Sequence, residues 1–263
     1  NCFLMSFQTL FTKMEDHTLI ITINRPDVLN ALNKQVINDL DAVMDRVYKF
    51  PEIKSVVITG AGLKSFVAGA DINEFESLSK EEAIALAKRG QGVFAKIENS
   101  PKPVIACVNG FALGGGCELA MSCHFVIASE SAVFGQPEVN LGIMVGYGGS
   151  QRLTQRVGKG RAMELIITGK TINATQAMNY GLANYVVPQT ELLDKALSIL
   201  KVCHEKSPIS VGNSIKAINA VWDENVNGYE VEANLFGECF VSGDSKEGIA
   251  AFKEKRKPHF KGH

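Results

Sequence analysis

The sequence predicts an α/β fold, in which strands alternate with helices over residues 1–190 and a purely helical region follows over 191–263. Three observations carry this. Short β-branched or apolar runs recur, each stopped by Gly, Pro or Asn; the segments between them repeat apolar residues at helical spacing; after Gln189 only the helical spacing remains. Leu19-Ile20-Ile21-Thr22-Ile23 is the first strand, closed by Asn24-Arg25-Pro26. From Asn33, which can cap the first turn, Val36, Ile37, Leu40, Val43, Met44 and Val47 line one face of a helix. Ser55 to Thr59 is a buried strand ending at Gly60-Ala61-Gly62. Ser79 with Glu82 makes a capping box for a helix towards Ile97, and Lys102-Pro103 stops it before the strand Val104 to Val108. Further strands are expected at Phe125 to Ala128 and Ala132 to Phe134, and helices over 190–205, 209–224, 229–242 and 245–256.

Composition narrows the function classes. The chain has 263 residues, 46% hydrophobic and 21% charged, which suits a packed core and argues against disorder. Its 27 basic and 28 acidic residues leave a net charge of -1, so the basic footprint of a nucleic-acid binder is absent. No run approaches the roughly 18 apolar residues of a membrane span. The start, Asn1 to Ser6, lacks a secretory signal and is poor in Arg, and translation is expected to begin at Met5. The six cysteines, Cys2 included, form no CxxC pair and read as free thiols. The expected address is cytoplasmic: the bacterial cytosol, or an organelle matrix after loss of a presequence.

Most glycine and histidine clusters fail as motifs. Gly169-Lys170-Thr171 ends like a phosphate loop, but Glu164 stands where its first glycine belongs. Gly148-Gly149-Ser150-Gln151-Arg152 lacks the last glycine of a nucleophile elbow. The five histidines are scattered without metal-ligand spacing, His124 reading as a packed or surface residue, and no metal site is expected.

One stretch remains. The strand ending at Val108 turns through Asn109-Gly110, and Gly114-Gly115-Gly116 then open a short apolar helix carrying Glu118 in its first turn. Glycines there let a ligand approach bare backbone, and the helix start points unpaired N–H groups at it, a natural place to stabilise an oxyanion. Read alone, Glu118 is a carboxylate answering the helix dipole, an effect of about 1 kcal/mol at most when exposed. Glu138, in Phe134-Gly135-Gln136-Pro137-Glu138, is a second carboxylate that one returning strand could bring beside the first. Two carboxylates in an apolar site divide acid and base roles, because repulsion and desolvation push one pKa up. Phe66 to Ile72 reads either as a packed turn capped by Asp71 or as a second backbone donor facing the glycines.

Taken in order, these segments resemble the enoyl-CoA hydratase (crotonase) superfamily: Asn24-Arg25-Pro26, Asn30-Ala31-Leu32, Gly69-Ala70-Asp71-Ile72, the glycine triplet through Ala120, Phe134 to Glu138, Leu141-Gly142-Ile143, Gln151-Arg152-Leu153 and the ending Phe252 to Pro258. The resemblance runs from Thr18 nearly to the end. It implies a crotonase-like spiral of ββα units, with C-terminal helices that build a homo-oligomer, a trimer or dimer of trimers. It implies an acyl-CoA substrate, with coenzyme A as part of that substrate and no separate cofactor, no nucleic acid and no membrane partner. The thioester oxygen would sit between the N–H groups of Ala70 and Gly115. Asn30, Ala31, Leu32, Ala68, Asp71, Ile72, Asn73, Gly116, Pro137 and Gly146 would bind substrate, and Phe252 and Lys255 would approach CoA. Glu118 and Glu138 would be the catalytic pair of a 2-enoyl-CoA hydratase. An enoyl isomerase using Glu138, another crotonase reaction, or a non-catalytic acyl-CoA-binding protein are the alternatives. The chain departs from the pattern at Asn73, where lysine is frequent, at His124 for aspartate, at Val145 for proline and at Gln176 for glutamate.

Overall fold

The computed structural model describes residues 7–263, so the expected start at Met5 and the thiol of Cys2 lie outside the described residues. Chain order is β1 (Leu10–Glu15), β2 (Thr18–Ile23), α1 (Lys34–Lys49), β3 (Ser55–Gly60), β4 (Ser65–Ala68), α2 (Lys80–Glu98), β5 (Val104–Val108), β6 (Phe111–Leu113), α3 (Gly115–Ser122), β7 (Phe125–Ser129) and β8 (Val133–Gly135). Then come α4 (Gly149–Val157), α5 (Lys159–Thr168), β9 (Thr171–Asn173), α6 (Ala174–Tyr180), β10 (Tyr185–Val187), α7 (Leu192–His204), α8 (Pro208–Asn219), α9 (Gly228–Val241) and α10 (Gly243–Glu254).

The strands form two sheets, one in the order β1-β2-β3-β5-β7-β10 and one in the order β4-β6-β8-β9. Pairing is parallel except at the β1–β2 hairpin and at β8–β9. Three times in succession the chain lays one strand in the large sheet and the next in the small one: β3 then β4, β5 then β6, β7 then β8. After the first two pairs it exits through a helix, α2 and then α3. This is the ββα spiral that the resemblance implies.

Both faces of the large sheet are covered, which explains why its strands read as unbroken apolar runs. Ile21, Ile58, Ala106, Val108 and Val126 point to the core shared with α1, α2 and α3. Their neighbours Ile20, Val57, Ile105 and Ile127 point the other way, onto Leu192, Ala196 and Leu200 of α7. That i, i+4 stripe fixes α7 to the sheet. The expected caps are present. Asn33 Oδ1 accepts the Val36 N–H at 2.9 Å, and Ser79 and Glu82 each accept the other's backbone N–H.

β1, β4, β6, β9, β10 and the helices α4 to α6 were not expected from the sequence. Most are three- to seven-residue elements set between glycines, too short for any period to register.

Candidate active site

The site is assembled where the second sheet meets the start of α3. On one side lies the loop after β2. Leu29 and Asn30 both have positive φ, a turn that Asn30 holds from within. Its Oδ1 accepts the Arg25 N–H at 3.0 Å, and its Nδ2 donates to the Ala61 and Ser65 carbonyls at 3.0 and 2.9 Å. Asn30 therefore gives the site its loop shape; its side chain is fully engaged inside the protein. Leu32, next along, bridges the strand end at Ala70: its N–H donates to Gly69 O and its carbonyl accepts from Asp71 N–H, at 2.9 and 2.7 Å. A residue bracketed in this way turns its own N–H outward, and that of Ala70 has no partner among the described residues.

The side chains of Asp71 and Asn73 hold local structure. Asp71 accepts from Arg25 Nη2 at 3.0 Å and from the Asn73 N–H and Nδ2 at 3.3 and 2.9 Å, capping the turn Ile72–Glu74. The Arg25 bond, with those from Asn73, holds the Asp71 carboxyl below its ordinary range. The Ala68 N–H donates to Leu29 O, and Arg25 Nη1 donates to Ala31 O, so this wall is closed by its own backbone.

Opposite stand the three glycines, each needed for a different reason. Gly114 has φ 49° and ψ -123°, and a Cβ there would fall 2.6 Å from Glu138 Oε1. Gly115 is the first residue of α3, so its N–H has no intrahelical acceptor. At Gly116 a Cβ would lie 2.0 Å from the Val67 carbonyl oxygen, which fixes how closely α3 seats on β4.

Glu118 is 2% exposed. Its Oε1 accepts the N–H groups of Tyr147 and Gly149 at 2.8 and 2.7 Å. Burial pushes the Glu118 carboxyl up to about 7 and nearby Glu138 adds to the rise, while the two N–H bonds oppose it. Glu138 follows Pro137 in the half-buried turn Pro137–Leu141, and burial raises its carboxyl too. Glu138 Oε1 thus lies against the glycine turn, and its charge reaches Glu118.

Sequence reasoning gave no role to three neighbours. The fully buried Gln136 amide faces both Glu138 oxygens at 3.2 and 3.3 Å, and its nitrogen is assigned to that side because an ionised carboxylate only accepts. Arg152 grips Glu98 Oε2 through Nε and Nη2 at 3.1 and 2.8 Å and donates through Nη1 to the Tyr147 carbonyl at 2.9 Å. Tyr147 supplies the N–H on Glu118. The only signal for Gln136 and Arg152 was their place inside the Phe134–Glu138 and Gln151–Leu153 motifs; Tyr147 lies outside both. Gly146 precedes Tyr147 and accepts from Gln91 Nε2. Phe252, 85% exposed, and Lys255 end α10; among the described residues no hydrogen bond or ion pair joins them to the glutamates. His124 is packed: Nδ1 accepts the Val104 N–H and Nε2 faces Glu98 O, which assigns the proton to Nε2. Among the described residues no cluster of His, Cys, Asp or Glu could hold a metal, and no helix is long and apolar enough to cross a membrane.

A spiral of parallel strands, a glycine-opened helix, a buried glutamate and a half-buried one define a class, and the enoyl-CoA hydratase/isomerase family model matches residues 13–263. The chain belongs to that family. It is 44% identical over 254 residues to a short-chain-enoyl-CoA hydratase of Clostridium acetobutylicum, covering 96% of this chain and 97% of that protein. To a crotonyl-CoA hydratase of Syntrophomonas wolfei it is 45% identical, over 97% and 99% of the two chains. The crystal structure of an enoyl-CoA hydratase from Bacillus anthracis superposes with a TM-score of 0.91 at 37% identity, over 97% of this chain and 100% of that one.

Proposed function

We propose that this chain is a hydro-lyase adding water reversibly across the 2,3 double bond of a 2-enoyl-CoA thioester, giving the 3-hydroxyacyl-CoA. The observation that carries the reading is that Glu138 lies against the glycine turn and acts on Glu118, while the Gly115 N–H at the start of α3 has no partner among the described residues. Conjugation makes Cβ electrophilic, and charge grows on the thioester oxygen as water adds. The N–H groups of Ala70 and Gly115 answer that charge, each such donor being worth on the order of 10²–10³ in rate. Glu118, whose Oε1 already holds two N–H donors that favour its ionised form, deprotonates the water. Glu138 delivers a proton to Cα, and the roles reverse in dehydration. CoA enters as part of the substrate, and every step uses side chains or main-chain amides of the protein.

Ala31, Leu32, Ala68, Ile72 and Asn73 line the CoA path in this reading, with Gly116, Pro137 and Gly146 around the acyl group and Lys255 towards the CoA phosphates. Exposed Trp222, Tyr229, Phe236 and Phe240 on the C-terminal helices support a homo-oligomer, a trimer or dimer of trimers. The free thiols of Cys107, Cys117 and Cys123 suit a reducing compartment, the cytoplasm.

The test is loss of conjugated-thioester absorbance from crotonyl-CoA. Glu118→Gln and Glu138→Gln should each lower kcat by about 10²–10⁴ while the variants still bind CoA esters. Ester binding by the unaltered protein without absorbance loss would reject hydration in favour of a binding protein. Conversion of a 3-enoyl ester to its conjugated isomer without hydroxyacyl product would select isomerisation.

A further inference from the structure

Tyr147 contributes its backbone N–H to Glu118, yet the reaction as drawn leaves its side chain unused. Both backbone groups are pinned, the N–H on Glu118 and the carbonyl under Arg152, which Glu98 of α2 holds in turn. The ring is therefore aimed. It lies between Gly90 of α2 and Gly115 of α3: a Cβ on Gly90 would fall 2.3 Å from Tyr147 Cδ1, and one on Gly115 would fall 3.5 Å from Cδ2. Phe94, one turn along α2 from Gly90, meets the ring edge-to-face with centroids 5.6 Å apart at 85°. Leu32 Cδ1 closes in on the same Gly115 position at 3.2 Å. Tyr147 is 7% exposed and sits in the main core with Phe94 and Leu32.

These contacts place an aromatic ring directly against the residue whose N–H would hold the thioester oxygen, and one residue's backbone from the carboxylate that would activate water. Acyl carbons beyond Cβ that turned towards Gly115 would meet that ring. We infer that Tyr147 is the wall that sets acyl length, restricting the site to short 2-enoyl-CoA esters, with Gly90 as the gap that lets the ring seat there. The inference rests on the hydration reading and deepens it. The wall is held from two sides: its ring packs edge-to-face on Phe94, and its backbone is fixed by the Glu118 and Arg152 hydrogen bonds. In an apolar pocket one methylene changes kcat/KM by roughly 10- to 200-fold, so several misfitting methylenes give steep discrimination.

The experiment compares kcat/KM for crotonyl-CoA and trans-2-decenoyl-CoA in the unaltered protein, Tyr147→Ala and Tyr147→Phe. Titration calorimetry with butyryl-CoA and decanoyl-CoA, which have no double bond to hydrate, reads the same selectivity without turnover. The unaltered protein should favour the four-carbon ester by about 100-fold or more, by the methylene discrimination above. Tyr147→Ala should cut that ratio at least about tenfold, the effect of opening room for one methylene or more, whereas Tyr147→Phe keeps the wall and the ratio. If the alanine variant fails to fold, Tyr147→Leu carries the test, with a smaller fall in the ratio expected. A folded variant with both ratios unchanged, or an unaltered protein without length preference, overturns the wall. Length-selective binding with no hydration of either enoyl ester would uphold the wall and reject the hydration reading.

Discussion

Gly116 in α3 and Gly237 in α9 are the same residue in helices built for opposite surroundings. A methyl group at Gly116 would collide with the backbone of Val67 at 2.0 Å; at Gly237 it would meet nothing within 4 Å. The contrast extends to their neighbourhoods. Every residue of α3 is buried, whereas α8 buries none and α9 only Leu235. The body packs closely enough that a methyl group at Gly60, Gly110 or Gly116 would fall 2.3, 2.2 or 2.0 Å from a backbone oxygen. The C-terminal helices leave Tyr229 88% exposed, with Trp222, Phe236 and Phe240 also open. Catalytic geometry needs the first kind of packing, since carboxylates and amide donors act only when held in place. The second kind is what the self-association proposed above requires, because aromatic side chains in such number are stabilised only when something covers them.

The largest effect expected from this contrast is at Gly116. Gly116→Ala drives a Cβ into a strand carbonyl that cannot rotate away, so α3 must lift from β4. Overpacking of this severity costs upwards of about 3 kcal/mol, read as a lower denaturant midpoint at unchanged slope. An unchanged midpoint would mean that α3 is not seated as tightly as described, and the site's geometry would loosen with it.

Next in size is the charge on Glu118. Its folded-state carboxyl, at about 7, titrates above the ordinary 4.5. The folded chain thus binds this proton more tightly than the unfolded chain, and stability from this group is present below pH 4.5 and lost as pH rises through about 7. A shift of that size corresponds to about 3 kcal/mol. Glu118→Gln keeps an oxygen for the Tyr147 and Gly149 N–H groups but cannot ionise. Its stability relative to the parent should therefore climb by about that amount between pH 4.5 and pH 8, measured by urea unfolding at each pH. A flat difference would show that the carboxylate is stabilised as well inside as in water.

What the sequence made legible follows the same divide between local and assembled structure. Asn33 and the Ser79–Glu82 pair act within one turn of themselves, and both caps could be read directly. The apolar strand runs could be read because both sheet faces are covered, yet the alternation that sends Ile21 one way and Ile20 the other was invisible for that same reason. The spacing of Leu192, Ala196 and Leu200 revealed a helix with one apolar face, but not that the large sheet lay under it. At the site, Glu118 and Glu138 could be singled out by chemistry. That Ala61 and Ser65 occupy the Asn30 amide was not legible, because nothing in its tripeptide reveals those partners. Tyr147 was missed because its position depends on a glycine in a distant helix, a dependence that exists only once α2 and the loop before α4 have packed.

The smallest expected effect sharpens the comparison from the other side. Gly237 lies in the interior of α9, where glycine costs roughly 1 kcal/mol relative to alanine through backbone freedom in the unfolded chain. With no atom within 4 Å of the added methyl, Gly237→Ala should stabilise the C-terminal helices by about 0.5–1 kcal/mol. Native-state hydrogen exchange of the α9 amides measures this locally, where a global midpoint would dilute it. Slower exchange at unchanged oligomeric state is the expected result. Faster exchange would mean that the Gly237 flank of α9, beside the Phe236–Phe240 stripe, is packed as closely in solution as Gly116 is in the body, with a second copy of the chain supplying the contact.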